Sequence, residues 1–338
     1  MIAAQLEQLA AGNSLALEEM MTVMDTVMQG RAAEDEIARL LLSLREKGET
    51  VDEVAGAALA LRKHMTPIRT RREGLVDTCG TGGDGSGTFN ISTAAAIVTA
   101  AAGVPVAKHG NRSITSRSGS ADVLAALGVN IEASVPCVEK CLDELGICFC
   151  FAPQLHPAMK HVAAVRRKLA VPTIFNLLGP LCNPAQAPYQ VLGVGKPHLH
   201  ALLASALARM GSRHATVVCG DDGLDEVTLS AGTRVIEIRG QEQTSFSWQP
   251  TDFGLPLAGR ETMVVDGPQA SAELIGRILA GEQGPARDIV VLNAAAALWT
   301  AGAAKTPSEA ATLAATAIDS GNARELLGRL AKMSQGGN

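Results

Sequence analysis

Aromatic side chains are scarce: the 338-residue chain holds two Trp, one Tyr and six Phe. A core with so few large rings must close with small and aliphatic side chains, and the plentiful alanine and glycine favour closely packed helices and tight turns. Excess positive charge is also missing. The formal net charge is −5, which argues against a protein that coats nucleic acid; the one short basic run is Arg69 to Arg72. Long apolar runs are absent too. The least polar segment, Ile91 to Ala107, is rich in alanine and broken by Gly103 and Pro105, a poor membrane span. Met1 to Gly12 lacks the basic start and apolar block of a secretory signal, so a cytoplasmic protein is expected. The seven cysteines form no C-x-x-C pair. Cys137 and Cys141 fall on an expected helix, and Cys148 and Cys150 alternate on an expected strand, which reads as buried thiols rather than a zinc site.

What is there centres on Leu75 to Ser120. A short apolar run leads into five glycines within eight residues, Gly80 to Gly87, then small polar side chains at Thr88, Asn90, Ser92 and Thr93. An alanine-rich helix and a second apolar run ending at Lys108 follow. The pattern predicts strand, glycine loop, helix, strand. Glycine lets a backbone approach a ligand closely, and a helix N-terminus offers N–H groups to an anion, so the stretch predicts a phosphate site. Gly80, Gly82 and Gly85 satisfy G-x-G-x-x-G. A dinucleotide fold, however, wants an acidic residue about 20 positions on, and this strand end carries Lys108, His109 and Arg112. No Gly-Lys-Ser/Thr follows the glycines, so the nucleoside-triphosphate loop fails as well.

Along the chain, residues 1 to about 65 read as helices only. Met20, Met21, Met24 and Met28 recur at helical spacing, as core or a subunit contact. A helix over about 33–47 should end at Gly48, and Thr50 with Glu53 has capping-box spacing. Residues 66–72 read as a solvated linker. Strand–helix alternation then predicts a helix over 120–128, a strand at Val129–Ile131, a helix capped near Ser134 and a strand over 147–151. The run from His156 to Leu181 reads as helix, break, helix and could return to the N-terminal helices. Strands are expected over 189–195, 215–219 and 234–238, with the remainder mostly helical.

Two further constellations carry chemistry. Asp225-Glu226 follows a strand end; on a loop both carboxylates can turn toward one cation, and hard oxygens beside a phosphate site suggest magnesium. Arg166-Arg167 lies on the helix before Asn176, where a guanidinium could grip a carboxylate. No G-x-S-x-G or H-E-x-x-H occurs, and His156 and His161 are five apart, so a nucleophilic serine or a zinc hydrolase is not expected.

With these residues assembled, the chain resembles the anthranilate phosphoribosyltransferase family over nearly its full length. The resemblance rests on DTCGTGGDGSGTFNIST from Asp77, KHGNRSITS from Lys108, HPAMKHVAAVRR from His156, NLLGPLCNP from Asn176 and the Asp225-Glu226 pair. It departs at Pro172, where relatives often carry a basic residue. The resemblance implies an α/β protein with a small helical domain, residues 1–68 completed by about 156–186. A larger domain with a central, mainly parallel sheet would comprise 72–155 and 187–338, in the manner of nucleoside phosphorylases. It implies transfer of phosphoribose from phosphoribosyl pyrophosphate to the amine of anthranilate, in a homodimer without nucleic-acid or membrane partners. By motif, Gly80, Gly83, Asp84, Thr88, Asn90, Ile91, Ser92 and Thr93 would hold phosphoribosyl pyrophosphate. So would Lys108, His109, Gly110, Asn111, Arg112, Ser113, Ile114, Thr115, Ser116 and Ser120. Gly80, Asn111 and Arg166 would touch anthranilate. Two magnesium ions would be met by Ser92, Asp225 and Glu226. The rivals are a pyrimidine-nucleoside phosphorylase of similar architecture and a non-catalytic relative that binds nucleic acid.

Overall fold

The computed structural model describes residues 2–112 and 118–336. Four helices open the chain: α1 (Ala3–Ala10), α2 (Leu17–Met28), α3 (Glu34–Lys47) and α4 (Val51–Lys63). Helix α3 stops at Gly48, whose φ of 85° suits glycine. At α4 the expected capping box forms: the Thr50 N–H donates to Glu53 Oε2 at 2.8 Å, and the Glu53 N–H to Thr50 Oγ1 at 3.3 Å. Glu53 is fully buried; it also accepts the Leu15 N–H at 3.0 Å and pairs with Lys47 at 2.9 Å, so one carboxylate ties three segments together. Met20, Met24 and Met28 lie in the core, one of the two roles expected of the methionine stripe.

The segment 66–72 is exposed at Pro67, Arg69, Arg71 and Arg72, as a solvated linker would be, but it is tied down by hydrogen bonds. Asp143 accepts the Thr70 hydroxyl at 2.5 Å and the Arg71 N–H at 2.9 Å, while Arg72 donates to the carbonyls of Asp143 and Glu144. These carbonyls belong to the last turn of a helix, which leaves acceptors that a guanidinium can satisfy.

The strand–helix alternation follows: β1 (Val76–Gly80), α5 (Ile91–Ala101), β2 (Val106–Gly110), α6 (Ser120–Ala126), α7 (Val135–Leu145) and β3 (Ile147–Phe151). Val129–Ile131 is a turn, not a strand. Gly128 takes a φ of 87°, the Val129 N–H returns to the Leu124 carbonyl at 2.9 Å, and the Asn130 N–H goes to Ser334 Oγ, so these two N–H groups are spent outside any ladder. A helical stretch comes next, as expected: α8 (Ala152–Leu155), α9 (Lys160–Leu169) and α10 (Phe175–Leu178). Then come β4 (Tyr189–Gly193), α11 (Pro197–Arg209), β5 (His214–Gly220) and β6 (Thr233–Arg239). A further strand, β7 (Glu242–Trp248), was not expected; it pairs antiparallel with β6 across a turn at Gly240. Helices α12 (Gly267–Leu279), α13 (Pro285–Thr300), α14 (Pro307–Asp319) and α15 (Asn322–Gln335) complete the described chain. No described helix is long and apolar enough to cross a membrane.

The seven strands form one sheet in the order β3-β2-β1-β4-β5-β6-β7, parallel from β3 to β5 and antiparallel beyond. Side chains alternate across it, and each face has its own core. Val191 and Val218 join α5, α13 and α14 on one side; Leu192, Val194 and Val217 join α2, α4, α10 and α11 on the other. Chain order reverses between β1 and β4. In open α/β sheets the crevice beyond the carboxyl ends of such a strand pair is where ligands bind.

Candidate active site

The glycine loop leaves the sheet at that crevice. Gly80, the last residue of β1, pairs with Gly193, the last of β4. Above them passes the loop after β5, which brings Asp225 and Glu226 into the same crevice. Asp225 Oδ2 accepts the Gly82 N–H at 2.7 Å, and Glu226 Oε1 accepts the Ser92 N–H at 3.1 Å in the first turn of α5. The carboxylates expected on a loop therefore lie on one, each facing the glycine-loop segment. A carboxylate at a helix N-terminus is favoured by the helix dipole.

The close approach requires glycine. A Cβ on Gly193 would collide with the Asp225 carbonyl, one on Gly80 would meet the Asp225 carboxylate, and one on Gly195 would lie 2.9 Å from Asp84 Cβ. Gly193 and Gly195 escaped the sequence reading; their signal is the G-x-G that ends an apolar run, VLGVG.

The charges are poorly balanced. Asp225 and Glu226 remain partly accessible from the crevice. Burial pushes Asp225 up to about 7, with the charge of Asp84 adding to it. Burial, then the Asp225 charge, pushes Glu226 up to about 8, against the pull of Lys108. Asp84 Oδ2 is buried without a hydrogen-bond partner among the described residues. Lys108 is buried; its ammonium donates to the Thr78 carbonyl and, at 3.3 Å, to Ser92 Oγ. Burial lowers its pKa, and Asp77, Cys79 and the two site carboxylates hold it up.

The other expected residues divide. Asp84 Oδ1 accepts the Ser86 N–H at 3.1 Å, and Ser86 Oγ lies 3.0 Å from Thr88 Oγ1, shaping the loop from within. Gly83 takes a φ of 74°. Ile91 packs in the core, and Thr93 Oγ1 is buried without a partner among the described residues. Ser120 Oγ donates to the Asn111 carbonyl at 3.4 Å beside Gly110. Arg112 turns away to Asp122 at 3.3 Å and Glu132 at 3.4 Å. His109 gives its N–H to Asp77, while its ring meets the Gly179 carbonyl at 3.0 Å and His156 Nε2 at 3.1 Å. Burial and then the neighbouring His156 lower His109 to about 3; burial lowers His156 to about 4. Arg166, on α9, is half-buried over the Phe175 ring at 5.3 Å. No carboxylate pairs with its guanidinium among the described residues. Ser113, Ile114, Thr115 and Ser116 lie outside the described residues. Cys137, Cys141, Cys148 and Cys150 are free, buried thiols on α7 and β3.

Comparison with known proteins adds a second line. Residues 4–65 match the family described as "Glycosyl transferase family, helical bundle domain", and residues 72–324 match "Glycosyl transferase family, a/b domain". An anthranilate phosphoribosyltransferase of Rhodopirellula baltica is 50% identical over 321 residues, covering 95% of this chain and 94% of the relative. The crystal structure of anthranilate phosphoribosyltransferase from Thermus thermophilus superposes with a TM-score of 0.92 at 43% identity, over 98% of this chain and 99% of that one. The Saccharomyces cerevisiae enzyme, solved in complex with PRPP (phosphoribosyl pyrophosphate) and Mg, superposes with a TM-score of 0.88 at 27% identity, over 99% and 98%.

Proposed function

Since the chain belongs to the anthranilate phosphoribosyltransferase family, we propose that the crevice between β1 and β4 is where it works. It transfers the phosphoribosyl group of phosphoribosyl pyrophosphate to the amine of anthranilate, giving N-(5-phosphoribosyl)anthranilate and pyrophosphate. The observation that carries the site assignment is the convergence of glycine-loop amides, the α5 N-terminus and the Asp225-Glu226 pair at the sheet's switch point.

The donor set suits magnesium. Its atoms are hard oxygens, two carboxylates are pushed toward neutrality by burial and then by a neighbouring carboxylate's charge, and Asp84 Oδ2 has no partner among the described residues. Two ions per chain are proposed, Ser92 and Glu226 holding one, Asp225 and Glu226 the other. When bound, magnesium supplies neutralisation of the departing pyrophosphate charge. The chain's own groups do the remainder. Gly80, Gly83, Asp84, Thr88, Asn90, Ser92, Thr93, and the 108–116 segment with Ser120 orient the diphosphate and ribose. Backbone N–H groups of the glycine loop stabilise charge on the leaving oxygens. Gly80 and Asn111 border the acceptor, and Arg166, free of a carboxylate partner among the described residues, grips that of anthranilate. The aromatic amine attacks C1 of the ribose from the face opposite the leaving group. Its lone pair is free at neutral pH, so positioning supplies most of the acceleration.

The helical domain is assigned to residues 1–68 with about 156–186, and the α/β domain to 72–155 with 187–338. Two copies associate through the helical parts, where Leu42 on α3 is exposed, and the seven free thiols agree with a cytoplasmic enzyme. Following the loss of anthranilate fluorescence tests the reading. Consumption should require both phosphoribosyl pyrophosphate and magnesium; consumption that proceeds without either would refute it.

A further inference from the structure

The glycine loop ends at Asn90, the residue before α5. One distant stretch of chain, residues 263–271, holds this exit at three points. The Phe89 N–H donates to the Met263 carbonyl at 2.9 Å, and the Val265 N–H to the Gly87 carbonyl at 3.1 Å. The third contact is made by a side chain. Ser271 Oγ accepts the Asn90 N–H at 3.0 Å and donates to Asn90 Oδ1 at 3.1 Å. Ser271 is fully buried on α12. A serine hydroxyl inside a helix commonly donates to a carbonyl of the preceding turn; this one directs both its acceptor and its donor across the interface to Asn90.

The consequence reaches further than one pair. Asn90 Oδ1 also accepts the Ser118 hydroxyl at 2.8 Å, and Asn90 Nδ2 donates to the Ser118 carbonyl at 3.4 Å. Asn90 thus joins the glycine-loop exit to the segment that leads into α6. The two backbone contacts from Met263 and Val265 fix where the loop exit lies. Only the Ser271 hydroxyl fixes the plane of the Asn90 amide from the α12 side.

We propose that Ser271 is a positioning residue for phosphoribosyl pyrophosphate, acting through Asn90 without touching the substrate. The inference rests on the assignment of Asn90 to the phosphoribosyl pyrophosphate pocket. Removing the hydroxyl leaves the Asn90 N–H without its acceptor and leaves the amide held from the Ser118 side alone, at a cost expected only on the side of the site that Asn90 serves.

The test is steady-state kinetics on the purified full chain with both substrates varied, for Ser271→Ala, Asn90→Ala and the double variant, alongside thermal melts. Ser271→Ala should raise KM for phosphoribosyl pyrophosphate about tenfold and leave KM for anthranilate within about twofold. Asn90→Ala removes the amide oxygen that Ser271 donates to but keeps the backbone N–H that it accepts. Adding Ser271→Ala to Asn90→Ala should therefore raise KM for phosphoribosyl pyrophosphate by a clearly smaller factor than Ser271→Ala does alone. If Asn90→Ala raises that KM and Ser271→Ala does not, the positioning role is overturned. If Asn90→Ala leaves it unchanged, the assignment of the pocket itself fails. A Ser271→Ala variant that melts lower but loses affinity for both substrates alike has lost only packing, which also overturns the proposal. Should Ser271→Ala not fold, Ser118→Ala, which removes the other hydroxyl on Asn90 Oδ1, must give the same substrate-selective rise or the proposal falls.

Discussion

Glu226 faces the first turn of α5 and Asp225 faces the glycine loop, yet the nearest counter-charge, Lys108, lies buried against Thr78 and Ser92. Two carboxylates pushed toward neutrality by burial are poised to gain from a divalent cation. Asp225→Asn should therefore shift the magnesium titration of turnover to higher concentration by at least about tenfold; an unchanged titration would count against the assignment. Arg166→Ala should raise KM for anthranilate far more than for phosphoribosyl pyrophosphate, by about tenfold to a hundredfold, and the reverse pattern would move the acceptor elsewhere. The histidine pair gives a pH dependence. His109 and His156 are lowered to about 3 and 4, so an unfolded chain, with histidines near 6.5, binds more protons than the folded one below that pH. Their contribution is complete above about pH 6.5 and is lost as pH falls, toward about 4 for His156 and about 3 for His109, by at most about 1.4 kcal/mol per pH unit for each histidine. Melts of His156→Gln should show a shallower acid decline than the parent; parallel declines would assign it to carboxylates alone. The meeting of Asp225 and Glu226 with the glycine-loop segment was legible because glycine and carboxylate chemistry leaves few alternatives. The contact of His109 with His156 was not, because 47 positions separate two residues that only the return of α8 brings together.

Among the elements, β4 ends where bulk is least tolerated. Gly193→Ala would drive a methyl group into the Asp225 backbone, costing about 1–3 kcal/mol of stability. Since misplacing a reacting group by about 1 Å can cost a hundredfold, kcat/KM should fall by about that factor, more than any change in melting temperature explains. A variant of near-parental activity would show that the loop carrying Asp225 yields freely. The elements that sequence period announced are the parallel strands and their crossover helices, where apolar runs meet glycine or proline boundaries. Val129 and Ile131 misled because both are buried, as strand residues would be, although a helix-closing turn supplies that burial. Strand β7 escaped notice because EQTSFSW is polar along most of its exposed edge; the turn at Arg239-Gly240-Gln241 was the available signal.

At the scale of the whole molecule, the two faces of one sheet feed two cores. Side chains only one position apart, Val191 and Leu192, belong to different ones. The core on the Leu192 side continues without a break through α11 into α4 and α2. The matched families divide at residues 65 and 72, and the linker there is strapped to α7 by Asp143. Sequence could show this boundary, since strand period begins just after it. It could not show that burial ignores the boundary, because α11 reads as an ordinary crossover helix. It follows that a gene severed at the joint would yield no pair of self-sufficient modules. The amino-terminal fragment would present the bared flank of α4 to water, and its counterpart would present α11. Each should clump when made alone, and making both in one cell should restore turnover; a fragment that stays monodisperse and melts cooperatively by itself would contradict this.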